Sequence, residues 1–162
     1  MQSDIKYNQI ERQIKRTYHY GPAEQRCVSE LYDAQDALQK KITYNGDFEI
    51  IETNGNTYEV NYLSSPQGLI GIAVKKNNDP IQLYFVETDH LGSILSLYNE
   101  NGQQTYEQSF DAWCRDRNPT DWTYSPPFQG GAGGGKPEWL IRGYTGHEHC
   151  DEFGLINMKD RM

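Results

Sequence analysis

The sequence predicts an all-β chain built from short antiparallel hairpins, and three observations lead there. Asn-Gly pairs recur at Asn45-Gly46, Asn54-Gly55 and Asn101-Gly102. Such a pair is the strongest short hairpin signal, because a type I′ turn needs positive φ at both central positions. Between the turns lie runs of aromatic and β-branched residues, such as FEIIET (48–53) and TYEVNYL (57–63), which suit a pleated, partly dry surface. Turn residues also return roughly every ten positions, the spacing of short strands.

The elements follow in order. Residues 1–20 keep no strict period, with a strand ending at Thr17-Tyr18-His19-Tyr20 and a turn at Gly21-Pro22. Residues 23–41 read equally as a helix or as two strands, Arg26 to Tyr32 and Ala37 to Tyr44, joined across Asp33–Asp36. From Lys41 to Leu63 a three-strand meander is expected. A two-residue turn at Asn54-Gly55 sets Ile51 opposite Tyr58, with Val60 and Tyr62 on that face. Leu69–Val74 and Ile81–Val86 are further strands, separated by a polar loop.

The densest local grammar runs from Tyr84 to Arg117. Here a two-residue turn at Asn101-Gly102 sets Leu97 opposite Tyr106, Leu95 opposite Gln108 and Ser93 opposite Phe110. Leu95, Leu97, Tyr106 and Phe110 then form one apolar stripe. Before it, Asp89-His90-Leu91-Gly92 supplies a corner. A Gly/Pro-rich loop is expected near 118–137, with Trp113, Trp122 and Trp139 clamping its base. Trp139–Tyr144 reads as a short strand, Thr145–Asp151 as polar, and Phe153–Met158 as apolar.

Composition bounds the function. The 162 residues suit one ordinary domain, and a hydrophobic content of 36% is low for a self-sufficient globule. The net charge of −8 disfavours nucleic acid and anionic membranes as general partners. No apolar leader is expected in the opening residues and no stretch reaches the length of a membrane span. Three cysteines, Cys27, Cys114 and Cys150, exclude a complete disulfide framework.

Four clusters invite a chemical reading. Gly130–Lys136 matches part of a phosphate-binding loop, but Pro137 stands where Ser or Thr should hold magnesium, and no strand leads into it. A flexible insertion is the better account. His147, His149, Cys150 and Asp151 are all zinc-ligand types, with only His90 and Cys114 to supply a second cluster. The competing account has them bonding loop backbone at a corner. Asp89, His90 and Ser93 have triad chemistry without an oxyanion-hole turn, and a structural Asx turn explains Asp89 better. Asp89 and Asp111 form a conceivable proton-sharing pair with nothing else in support. No catalytic, cofactor-binding or metal-ligating residue is therefore assigned, and no cofactor is expected.

Several motifs are familiar together. Tyr84–Ser93 (YFVETDHLGS) resembles the signature of the Rhs (rearrangement hot spot) repeat-associated core. Ser109–Trp113 (SFDAW) is similar to that family's Tyr-Asp-Ala-Trp-Gly segment, and Arg142–Glu148 with Gly154–Met158 to its closing segment. Thr17–Gly21 and Ile42–Gly46 resemble the degenerate YD repeats upstream. The resemblance spans essentially the whole chain. It divides it into YD-repeat hairpins over 1–83 and a core signature region over 84–162, truncated relative to the family pattern.

The resemblance implies strands over 23–44, and a segment of a spiralling β-sheet shell of YD-repeat hairpins. It implies a non-catalytic structural role in a bacterial polymorphic toxin system, with a parent secreted or at the cell envelope. The shell would encapsulate or present a C-terminal toxin. The partners would be the rest of the shell, that toxin or its immunity protein, with no nucleic acid and no membrane insertion. The alternatives are a cell-surface module binding glycan or protein, and part of a self-cleaving aspartyl autoprotease region with Asp151 as the acid to test. Cys114 departs from the pattern, standing where the family usually has glycine.

Overall fold

A computed structural model describes residues 2–9, 12–124 and 135–158. The all-β expectation holds. Ten strands are hydrogen-bonded in the order in which they occur in the chain. They are β1 (Gln2–Gln9), β2 (Arg12–Tyr20), β3 (Arg26–Tyr32), β4 (Leu38–Asn45), β5 (Phe48–Thr53), β6 (Asn56–Ser65), β7 (Gly68–Lys76), β8 (Gln82–Thr88), β9 (Ile94–Tyr98) and β10 (Gln104–Glu107). Two small pairs follow: β11 (Ser109–Phe110) with β12 (Asp116–Arg117), and β13 (Glu148–Cys150) with β14 (Leu155–Asn157). The only helical turns among the described residues are 3-10 turns at Tyr144–Gly146 and Asp151–Phe153. Residues 23–41 are therefore strand, and the helical alternative fails. Both β3 and β4 bury only one central residue each, Ser29 and Ile42.

The chain divides into two units, one of residues 1–62 with 73–82, the other of 63–72 with 83–162. In the first unit the meander forms as read. Thr53 pairs with Asn56 and Ile51 with Tyr58. Asn54 and Gly55, at φ 50° and 74°, make the two-residue turn. Tyr58, Val60 and Tyr62 alternate inward with Ile42, Ile51 and Val74. The tyrosines keep their hydroxyls satisfied: Tyr62 donates to the buried Glu49 carboxylate at 3.0 Å and Tyr44 to Ser29 at 3.1 Å. This is how tyrosines line a dry face with their hydroxyls bonded. At Asn45-Gly46 the turn sits one residue later. Asn45 pairs with Phe48, so Gly46-Asp47 form the loop and Asn45 ends β4.

The second unit departs from the simple register in an instructive way. The loop after β9 is three residues long, closed by Asn99 and Gln103. The Asn99 side chain accepts the amides of Asn101 and Gln103, both at 3.0 Å, and Gly102 takes φ 72°. The extra loop residue shifts the ladder by one. A bulge at Thr105 shifts it back, because Gln104 pairs with Tyr98 but Tyr106 with Leu97. Leu97 and Tyr106 are thus opposed and buried as expected, by a different route. A second bulge, at Leu95, lies between the pairs Glu87–Ser96 and Thr88–Ile94. It leaves Leu95 half-buried while Ile94 is fully buried. Ser93 and Phe110 are not partners. Phe110 pairs with Asp116 in the β11–β12 ladder, and Ser93 closes the preceding corner.

Those corners are one device used repeatedly. At Asp33, Asp89, Asn99 and Asp111 the first residue's N–H donates to the carbonyl four residues on, and its own carbonyl accepts the amide three residues on. The side-chain oxygen takes two more amides, at positions three and five of the loop, at 2.8–3.0 Å. The fourth residue is always left-handed: Asp36, Gly92, Gly102 and Cys114 at φ 57°, 84°, 72° and 66°. The sequence signal is thus an Asx residue three positions before a residue tolerant of positive φ, not the Asn-Gly pair. Cys114 fills the left-handed position of its loop with the bonds intact, at the expense of a Cβ in that region. Cys114→Gly should be more stable than Cys114→Ala by about 1 kcal/mol in urea denaturation, since both lose the thiol and only glycine relieves the backbone.

The tryptophans do not act together. Trp113 and Trp122 are 78% and 64% exposed, whereas Trp139 is buried against Tyr84, ring centroids 5.0 Å apart. The Gly/Pro-rich segment falls mostly within residues 125–134, outside the described residues, together with the glycines of the phosphate-loop match up to Gly134. Residues 139–144 are not a strand. Trp139 lies in a turn and Arg142 makes an isolated bridge to Glu148.

Candidate functional site

The polar residues that converge in the second unit come from three separate stretches. Asp116 is on β12, directly after the Asp111 loop. Lys136 precedes the Trp139 turn. His149 is the central residue of β13 and Asp151 opens the following 3-10 turn. One atom each of Asp116, His149 and Asp151 lies within 4.8 Å of the others. The Lys136 ammonium is 2.8 Å from the Asp151 carboxylate, and its side chain is nearly buried. Tyr106, from β10, completes the surroundings: its phenol is pushed above the ordinary tyrosine value by burial and by the charges of Asp116 and Asp151.

The local backbone explains the position of His149. Its main-chain N–H donates to the Ile141 carbonyl at 2.8 Å. Its ring packs on Phe110, with centroids 5.6 Å apart, and Phe110 meets Tyr144 edge-on at 5.7 Å. The Tyr144 amide donates to His149 Nε2 at 2.9 Å. Gly143 makes this approach possible, because a Cβ there would lie 2.7 Å from Nε2.

The electrostatics divide the groups. Burial pushes the Asp116 carboxyl up to about 6, aided by Asp151 and opposed by Lys136. One of its oxygens, Oδ1, is buried with no hydrogen-bond partner among the described residues. Burial also lowers His149 to about 4, with Lys136 and His147 acting the same way and Asp151 against. At neutral pH the ring is therefore neutral. Since Nε2 accepts from Tyr144, the proton sits on Nδ1, 3.9 Å from Asp151. Nδ1 then faces the carboxylates as a donor, not as a lone pair. With Lys136 already on Asp151, the arrangement does not fit a metal ion, which needs a deprotonated nitrogen. It fits an acid pair, one carboxylate held ionised by a lysine and one carboxyl raised by burial.

Comparison with known families finds no family model that matches this chain, and comparison with curated proteins finds no match.

The residues singled out from sequence are mostly separated. His147 bonds Thr145, Nδ1 to Oγ1 at 2.6 Å, and only His149 and Asp151 of its cluster join the convergent group. Cys150 is buried, and His90 is exposed. The triad reading fails on geometry. Asp89 accepts the amides of Leu91 and Ser93 at 2.9 and 2.8 Å, and the Ser93 hydroxyl is buried, accepting the Thr145 amide at 3.0 Å. Asp89 and Asp111 share no proton. Slight burial works to raise each, but the loop amides outweigh it and leave both below the ordinary carboxylate value, with Arg115 adding to the effect at Asp111, which falls to about 2. Asp116 and Lys136 went unread in the sequence as partners of Asp151, because nothing local marks them.

Proposed function

We propose that this chain is a non-catalytic, sheet-building segment of an Rhs/YD-repeat shell that encloses or presents a C-terminal toxin. The observation that carries the reading is the strand order, in which every neighbour in the ladder is the next strand in sequence. The Asx loop supports it, since one corner design recurring at β3–β4, β8–β9, β9–β10 and β11–β12 is what an array of similar units would use. β1 ends that order, and an end strand carries unpaired backbone groups suited to a further strand. The remainder of the shell is the partner of that edge. In size-exclusion chromatography with light scattering, the isolated chain should self-associate with rising concentration. A monomer at all concentrations would sink the reading.

The acid pair favours a second role, in aspartyl self-cleavage of the parent chain. Asp151 would act as the ionised carboxylate and Asp116 as the protonated one, in full only below about pH 6. The same chain extended by its native downstream sequence would show this by intact mass. Cleavage abolished by Asp116→Asn and by Asp151→Asn supports it, and cleavage unaffected by both excludes it.

A further inference from the structure

We propose that His149 is an acid-operated latch: adding a proton to its Nε2 turns the acceptor of the Tyr144 amide into a second donor and releases the 143–147 turn from β13. The geometry carries the proposal. The Tyr144 N–H points at Nε2 from 2.9 Å. A protonated ring would set two donors against each other across that distance. The ring lies against the Gly143 backbone, in the space a side chain there would fill: a Cβ would stand 2.7 Å from Nε2 and 3.1 Å from Phe110. Phe110, from β11, packs against the imidazole at a tilt of 53°. The turn itself is held by Gly143 N–H to the His147 carbonyl and Gly146 N–H to the Gly143 carbonyl, both 3.0 Å, and by the Thr145 amide on Ser93. Thr145 and Gly146 sit at φ 49° and 68°. Ile94 donates to the Gly143 carbonyl at 3.1 Å, so the turn also ties β13 to the start of β9.

The charges around the ring set where the latch opens. They are Lys136, Asp151 and His147, with Asp116 within 4.8 Å of the ring and Tyr106 feeling both Asp116 and Asp151; Glu148 precedes His149 on β13, where successive side chains point to opposite faces. Lys136 and burial oppose an imidazolium, and Asp151 favours one. Asp116 responds in the reverse direction. Its carboxyl is raised to about 6, so it takes up its proton first on acidification. Stability from a raised acid is full below its unfolded value and is lost as pH rises through about 6. Stability from a lowered histidine is full above its unfolded value and is lost as pH falls through about 4. Between those values the two offset each other. The latch stays shut until Asp116 is neutral and then opens near pH 4.

The test is NMR on the full chain. At pH 7 the His149 ring nitrogens should report the Nδ1–H tautomer. On titration Nε2 should protonate with a midpoint near pH 4, and the protection factor of the Tyr144 amide should fall by about ten-fold per pH unit below it. The Leu97 amide in β9 should keep its protection over the same range. Lys136→Met should move the midpoint up by about one unit or more, a ten-fold gain in proton affinity. Asp116→Asn should leave it in place, since Asp116 is already neutral there. An Nε2–H tautomer at pH 7 overturns the latch. So does Tyr144 protection that survives titration of His149, or Leu97 and Tyr144 losing protection together. A midpoint unmoved by Lys136→Met also overturns it. If Lys136→Met fails to fold, Asp151→Asn serves instead, with the midpoint expected to fall.

Discussion

Gly143→Ala destabilises the second unit by about 3 kcal/mol, the sum of an overpacked contact and a weakened buried hydrogen bond. The added Cβ meets His149 Nε2 at 2.7 Å, Cε1 at 3.0 Å and Phe110 Cζ at 3.1 Å. These are ring atoms wedged between neighbours, not the ends of flexible chains, so relief requires moving the imidazole. Moving it stretches the Tyr144 N–H to Nε2 bond. The measurement is urea denaturation followed by a probe in the second unit. The midpoint should fall with little change in slope, because the surface exposed on unfolding is the same. Gly46→Ala serves as a reference. A Cβ at Gly46 meets nothing within 4 Å, although its φ of 64° still carries a left-handed penalty. A loss at Gly143 no larger than at Gly46 would show that His149 is not held as described.

Leu97→Ala costs about 3 kcal/mol, within the usual range for emptying a fully buried leucine site. Leu97 is 0% exposed and lies at the middle of three strands, opposite Val86 on β8 and Tyr106 on β10. Its removal takes contacts from both neighbours at once. Leu95→Ala should cost clearly less, because the bulge leaves Leu95 half-buried. The ranking is the test: equal losses at the two positions would mean that both leucines share one stripe, as the unbulged register requires.

How far the sequence carried the fold can be judged at the turns. Asn54-Gly55 was legible, because nothing nearby competes with the two-residue loop and both residues tolerate positive φ. At Asn101-Gly102 the dipeptide misled, since Asn99 two residues earlier captures the loop amides and lengthens it. The buried pair Leu97–Tyr106 survived only because Thr105 absorbs the shift. Neither bulge has a local signature. The Thr105 bulge absorbs the extra residue of the Asn99 loop, and the Leu95 bulge shows only in the ladder with β8. The Asp116–Lys136–His149–Asp151 group was half legible. His149 and Asp151 stood out as adjacent polar residues, but their partners lie far off in the chain and reach them only through packing. Trp139 was misplaced for the same reason. In the sequence it reads as part of a clamp with Trp113 and Trp122, while Tyr84 from β8 makes it core and the other two are exposed.

The corner at Asp33, Asp89, Asn99 and Asp111 also bears on how the chain finds its structure. Each loop of five residues supplies its own backbone and side-chain hydrogen bonds, so a corner can form before either strand has a packed face. Each strand then pairs with the one just made, and no step has to close a long segment of chain. Topologies dominated by such near-neighbour contacts pay little entropy in the rate-limiting step and fold fast for β proteins. The sheet can therefore grow one strand at a time from a formed hairpin, a one-dimensional process of addition.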